Sequence, residues 1–444
     1  MKKLIKAHFI FIILFQISSS LAASTISELT TPFRVIKEND DPSILRSDLQ
    51  LQRNIFHLNS YAPKESHLHI QPWANRHWRL DSGLIAARYE DAAFKWKMSF
   101  SDRWRYIKNN PVNQILAETN FEKRRKKIDE LSPAEKYDLL VGDYNYTLTT
   151  AQWNEGYQER NDGGLSMWMG ICDGSAAASI YYPEPKNPVT LYSPQGEPIT
   201  FHVMDIKALA SLLWSVYNVD IPTAGNRCHS RFPKRNWFTG ALSEDHCFDT
   251  NPASLHIALT NLIGIQKTPF IINRKTNHEV WNVPVVGYYF NYFNVATKRT
   301  SNDFSYNQVR AANHKRDRFK KYRAYNVDQI IGVEMTIVVA KGSTNSRERT
   351  APSSLAELHY RYDLELDVSG NIIGGEWHSR EHPDFMWSID SNERAYTLGD
   401  IAIGIEQVWD GNAVPAAWLS SIREASSTST PIEKIVTKLV ELSQ

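Results

Sequence analysis

Cys172 stands in the run MWMGICDGSAAAS, Met167 to Ser179, behind a glycine and an apolar residue and ahead of the small residues Gly174 to Ala178. Small residues in series read as the opening of a closely packed helix, with the cysteine at its N-terminus. Unpaired N–H groups and the positive end of the helix dipole favour a thiolate there, an effect expected to bring the pKa from about 8.5 towards 7. Such a nucleophile needs an imidazole to hold its proton and a polar group to orient that ring. His256 precedes an apolar run and Asn273 ends the next one; a pair of strands would carry both side chains to one end of a sheet, facing the cysteine helix. His278 competes as the base and Asp249 as the third member, with His202, His359 and His382 behind them. The oxyanion falls to the Cys172 N–H and a second, unnamed donor. The alternative is a small, buried, inert cysteine.

The chain begins with Lys2, Lys3 and Lys6, an apolar run from Phe9 to Ile17 and the small residues of Ser18 to Ala23, the order of a secretory leader cleaved after Ala22. No later run is long and apolar enough to span a membrane, so a soluble, secreted or periplasmic protein is expected. Fifty basic residues face 49 acidic ones, and losing the leader's three lysines leaves a formal charge of −2; this balance gives no footprint for nucleic acid or anionic membrane. Of three cysteines, Cys228 and Cys247 flank a loop-like stretch that a disulfide would stabilise by about 3 kcal/mol, leaving Cys172 as the free thiol. A zinc site from Cys228, His229, His246 and Cys247 has adjacent ligands where zinc prefers spaced ones.

Several elements must position these groups. Residues 24 to 75 read as an irregular arm, Ala86 to Phe100 as helical, and the tryptophans around Trp73, Trp78 and Trp104 as packing anchors. Ser132 and Glu135 form a capping box, with Pro133 at the first helical position, for a helix to Val141. Val203 to Tyr217 is an amphipathic scaffold helix with Leu209, Leu212, Leu213 and Val216 on one face. Leu255 to Ile265 is ambiguous between strand and helix. Phe270 to Asn273, Glu279 to Phe293 and a meander over Gln329 to Trp377 read as strands, closed by the Ser369-Gly370 turn. The basic stretch Arg310 to Arg323 reads as a loop or solvated helix. Asp363, Glu365 and Asp367 alternate as an exposed acidic face rather than a calcium loop. Short helices are expected near Ile403 to Val408 and Ile432 to Leu442.

HEVWNVPVVGYYF, with Val280, Trp281, Asn282, Pro284, Val285 and Gly287, resembles the elicitor peptide of the secreted oomycete transglutaminases, Val283 standing where that motif has Gln. LSPAEKYDLLVGD, W-x-GIC-x-G around Cys172, DIKAL at Asp205, HIALTNLIG from His256, GNIIGGEW and HPDF from His382 extend the resemblance over Leu131 to Trp387. It implies an α+β fold with a papain-like cysteine-enzyme core over residues 131–395, after a leader (1–22) and an aromatic-rich, partly helical region (23–130), and before a helical segment (396–444). It also implies glutamine-to-lysine transamidation of proteins, often calcium-dependent, with Cys172 as nucleophile, His256 as base and Asn273 as third residue. The same resemblance sets Trp168, Trp281 and Asn282 at the substrate, although a tryptophan in a β-rich run is as readily core. A cysteine protease, a glutamine deamidase and a non-catalytic elicitor are the rival readings.

Overall fold

The computed structural model describes residues 35–94, 98–217, 221–244, 247, 250–340, 355–389, 395 and 408–444. The leader, His246, Asp249 and all but the last residue of the helix expected near Ile403 to Val408 lie outside the described residues. The fold is mixed: a helical core and a sheet core, meeting along one long strand.

The helical core gathers α2 (Phe100–Asn109), α3 (Val112–Leu116), α4 (Phe121–Asp129), α5 (Pro133–Val141), α6 (Thr147–Asn161), α7 (Cys172–Tyr181) and α8 (Val203–Tyr217), with the C-terminal helices Leu419–Ser427 and Glu433–Leu442. The capping box forms as expected, and Arg88 bonds the same Glu135 carboxylate from outside. Trp73, Trp78 and Trp153 are buried anchors. No break in packing falls at residue 130: residues from Trp73 onward and the C-terminal helices share this core with α5 to α8. The described residues of the helix expected over Ala86 to Phe100 are not helical between Ala86 and Phe100; a short 3-10 turn, Leu84–Ala86, comes before them, and α2 begins at Phe100 behind its Ser99 cap.

α8 corrects the amphipathic reading. Leu209, Leu212 and Leu213 are buried, but so are Asp205, Lys207 and Ser211, because each polar side chain has a partner from elsewhere in the chain. Asp205 takes the Lys136 ammonium at 2.6 Å and the Tyr89 hydroxyl at 2.9 Å. Lys207 reaches Glu184 at 2.6 Å and the Ala74 carbonyl at 3.0 Å.

Among the described residues, nine strands join in one antiparallel sheet. The main path runs β10 (Ile372–Trp377), β9 (Leu355–Leu366), β8 (Gln329–Ala340), β6 (Asn282–Phe293), β5 (Ile271–Asn273), β11 (Phe385–Trp387) and β4 (Thr223–Gly225). β1 (Glu65–His67) pairs with β6 beyond β5, and β7 (Gln308–Arg310) pairs with β8. β2 (Val189–Tyr192) and β3 (Pro198–Phe201) form a separate hairpin. The arm is thus built into the sheet through β1 and through α1 (Ile55–Tyr61), whose Ile55 and Leu58 join the sheet core. The meander and its turn at Gly370 (φ 82°) are as expected.

Two readings of the sheet region change. Leu255 to Ile265 is helical: α9 (Pro252–Ala258), capped by Asn251, continues as a π-helix to Gln266. The acidic face is not exposed. Asp363 and Glu365 are buried against Arg323, which bonds Asp363 at 2.9 Å and Glu365 at 3.1 Å. Arg323 therefore leaves the solvated basic stretch for the interior.

Removing one partner of a buried pair strands the other's charge, at about 3–5 kcal/mol. Asp205→Ala is expected to cost that much in chemical denaturation by orphaning Lys136, whereas Lys136→Met with Asp205→Leu recovers most of it. A loss below about 1 kcal/mol for the single variant would contradict the pairing.

Candidate active site

The main chain becomes helical at Cys172, behind Ile171 at φ −98°, ψ 47°. Gly174 sets the helix's position: a Cβ there would overlap the Ser211 carbonyl and the Ser215 backbone of α8. Ser215 Oγ also bonds the Asp173 carboxylate at 3.2 Å, and Asn75 crosses from the arm to Ser211 Oγ at 2.7 Å. Fixed in this way, half-buried Cys172 turns its sulfur to the chain entering β6. Sγ donates to the Val280 carbonyl at 3.6 Å and receives the Asn282 N–H.

The thiol is not activated at rest. Burial, reinforced by the Asp173 carboxylate, pushes Cys172 up to about 12, against the lowering by the N–H groups of Asn282, Asp173 and Cys172 itself. A helix terminus contributes about 0.3–1 kcal/mol, less than one pH unit, so desolvation wins over the thiolate expected from the helix position.

A chain of polar contacts fixes the strand opposite the sulfur. Asn273 Oδ1 accepts the Trp281 N–H at 2.7 Å, and its Nδ2 donates to Asp384 Oδ1 at 2.8 Å. Asp384 Oδ2 accepts the Cys228 N–H at 3.3 Å, and burial raises its pKa to about 8. Trp387 Nε1 donates to Asn282 Oδ1 at 3.0 Å. Trp281 lies between His77, with ring centres 5.0 Å apart, and the Arg274 guanidinium at 5.3 Å, its Nε1 on Glu279. Trp281 and Asn282 are thus brought beside Cys172, while Asn273 acts on their backbone.

The structure does not bring His256 to Cys172. On α9 it is buried among Phe290, Tyr292 and Tyr362, with Nδ1 2.9 Å from the Tyr362 hydroxyl. Phe290 is eight residues beyond Asn282 on β6, roughly 25 Å along a strand. Burial pushes His256 down to about 3, leaving a neutral imidazole. The physical reason is the helix in place of the expected strand. His202 bonds Asp129, His359 bonds Thr336, and His382 stacks on Trp377.

His278 is two residues ahead of the carbonyl that meets the sulfur. Its N–H donates to the Ser230 carbonyl at 3.1 Å, its ring meets Trp168 edge-on at 5.8 Å, and its Nδ1 is buried without a hydrogen bond. Trp168 is thereby part of the same cluster, with the Arg227 guanidinium 5.9 Å from its ring. Two members were not foreseen. Asp384 stood inside the HPDF motif, whose acid in an apolar run was the available signal. His77, which hydrogen-bonds the Met167 carbonyl and whose pKa burial lowers, came from the aromatic-rich stretch after the arm, with no signal of its own.

Cys228 and Cys247 form a disulfide, which removes both thiolates from the zinc reading. Among the described residues no group of three or more metal-binding side chains converges. Arg323 occupies Asp363 and Glu365, and Asp367 is bonded by Ser369 and Asn371, so these carboxylates do not fit calcium and we assign it no residues. A cleft of about 580 Å³ lined by Arg88, Tyr106 and Glu130 lies in the helical core and includes none of the cluster around Cys172. No helix among the described residues is long and apolar enough to cross a membrane.

The transglutaminase elicitor family matches residues 48–410. In structure the chain is similar to the GP42 transglutaminase from Phytophthora sojae, with a TM-score of 0.53 and 18% identity over 88% of this chain and 99% of that one; at that identity the likeness concerns the fold. No curated protein matches the sequence.

Cys172 is the free cysteine among the described residues, so its alkylation is read directly by mass spectrometry. With the thiol held protonated below about 12, the resting protein's iodoacetamide rate is expected to rise about tenfold per pH unit above neutrality. A plateau reached below pH 8 would show an activated thiolate instead.

Proposed function

This chain belongs to the transglutaminase elicitor family, and on that premise we propose that it is a secreted protein-glutamine γ-glutamyltransferase working through a Cys172 thioester. The observation that carries the reading is the seat of the sulfur between Val280 and Asn282, inside the segment that resembles the family's elicitor peptide. Cysteine helix, imidazole and antiparallel sheet are the parts of a papain-like core, which we assign to residues 131–395.

His278 is the base in this reading, in place of His256. Its unpartnered Nδ1 is free to take the thiol proton as a glutamine side chain enters. The sulfur attacks the carboxamide carbon, the Cys172 N–H holds the oxyanion, and the imidazolium returns the proton to the leaving ammonia. A lysine amine then attacks the thioester; His278 takes its proton, the isopeptide forms and the thiol is released with that proton. Asn273 and Asp384 are positioning residues that hold the Trp281 backbone, while Trp168, Trp281 and Asn282 flank the acyl chain. The disulfide and the leader support secretion.

The test gives mature protein a glutamine-containing protein and a labelled amine, and follows incorporation and ammonia release by mass spectrometry. Cys172→Ala is expected to abolish both. His278→Ala is expected to lower kcat by about 10²–10⁴, while His256→Phe keeps kcat within a few fold and loses stability. Ammonia without incorporation assigns a deamidase, backbone cleavage a protease, and silence in every channel a binding protein. The opposite ranking of the two histidine variants would restore His256 as the base.

A further inference from the structure

The near-neutral total charge hides a segregated surface. Residues 227–243, the chain entering the disulfide-closed loop and most of that loop, contain four cations and no acid, and the loop's two acids, Glu244 and Asp245, follow at its far end. Arg227, Arg231 and Lys234 are exposed, with no carboxylate partner among the described residues. The loop also presents Phe232 at 81% and Trp237 at 93% exposure. Arg231 lies over the Phe232 ring at 5.5 Å and Trp237 meets Phe238 at 5.7 Å, so these cations and rings contact one another while their charge is met by no carboxylate among the described residues.

A second basic segment continues this face. In residues 314–323, Lys315, Arg316, Arg318, Lys320 and Lys321 are exposed. Their segment's single acid, Asp317, is turned inward to Arg323 Nε at 2.9 Å, and Arg323 is itself sunk onto Asp363. Phe319 stacks on His378 beneath, with ring centres 5.3 Å apart. The interior therefore removes the negative charge from this loop and leaves its cations outside. Asn236 Nδ2 donates to the Tyr322 hydroxyl at 3.1 Å, joining the two segments.

The joined surface begins at the edge of the candidate active site. The Ser230 carbonyl accepts the His278 N–H, and Arg227 Nη2 donates to the His278 carbonyl at 3.3 Å. A polypeptide whose glutamine side chain reaches Cys172 must extend past that edge. Clustered like charges focus field and raise the local concentration of an oppositely charged chain, and exposed aromatic rings add contact area to whatever the charges draw in. We propose that residues 227–238 and 315–321 form a docking surface for an acidic stretch of the protein that presents its glutamine to Cys172. This deepens the transamidase reading and rests on it.

Binding is measured in the full mature chain carrying Cys172→Ala, by fluorescence anisotropy of a labelled glutamine peptide with a run of glutamates beside the glutamine. A peptide with serines in place of those glutamates is the comparison. The acidic peptide is expected to bind about tenfold more tightly, with the advantage shrinking as salt is raised. Arg231→Glu/Lys234→Glu and Lys320→Glu/Lys321→Glu should each remove most of that advantage. Lys123→Glu/Arg125→Glu on α4 makes the same charge change elsewhere and should leave it intact. Matching glutamine variants, which lose charge without reversing it, should fall between, and thermal denaturation checks that all variants fold. Equal binding of the two peptides, or an equal effect of the α4 pair, overturns the proposal. So does stronger binding of polygalacturonate or of phosphatidylserine vesicles than of the acidic peptide. Because no turnover is required, a failure here with intact transamidation overturns the docking surface alone, and sound docking without transamidation overturns the reaction alone.

Discussion

The approach of two helices at Gly174 decides where the Cys172 sulfur sits in this fold. With no side chain there, the helix that begins at Cys172 lies against Ser211 and Ser215 of α8, and α8 is fixed in turn by a buried ion pair to α5 and by a half-buried one from Lys207 to Glu184. The sulfur is carried to the start of β6 by this contact, its own bonds there being a long one to the Val280 carbonyl and one from the Asn282 N–H. A methyl group at position 174 would move the helix as a body, because its neighbours are backbone atoms that cannot give way.

β6 ties this arrangement to the rest of the molecule. Its first residues face the cysteine, while Tyr288, Phe290 and Tyr292 belong to the sheet core. The site therefore sits at the seam between two packed cores, where a short polar chain through Asn273 and Asp384 does what apolar packing does elsewhere. A protonated, desolvated thiol beside a hydrogen-bonded strand is, in the proposed reading, the resting state that a substrate would turn into a reactive one.

Much of this was legible wherever the determining interaction is local. The capping box at Ser132 and Glu135, the small residues after Cys172 and the alternating meander specify their own geometry within a few positions. Misreadings arose where the deciding partner is distant. Asp205 and Lys207 look like the wet face of a helix until Lys136 and Glu184 are brought to them from elsewhere in the fold. Asp363 and Glu365 look solvated until Arg323 is sunk between them. The run from Leu255 carries no period that separates strand from helix, and choosing strand moved His256 to the wrong end of the sheet. His278 stands two residues before the Val280 carbonyl that meets the sulfur, a neighbourhood that spacing from the cysteine does not reveal. Total charge likewise concealed two cationic segments that meet only in three dimensions.

Asn273 also constrains how this sequence can drift. Its oxygen must face the Trp281 N–H and its amino group must face Asp384, so each end of one amide answers a different chemical demand. Aspartate at 273 would lose the amino group that donates to Asp384 Oδ1, and asparagine at 384 would set an amide N–H against one of its two donors, the Asn273 amide on Oδ1 or the Cys228 N–H on Oδ2. Either change alone breaks one of these contacts, so the two positions are expected to exchange together. Lineages that carry an acid at the first position should therefore be found to have rewritten the second, an epistasis set by the two unlike faces of a single side chain.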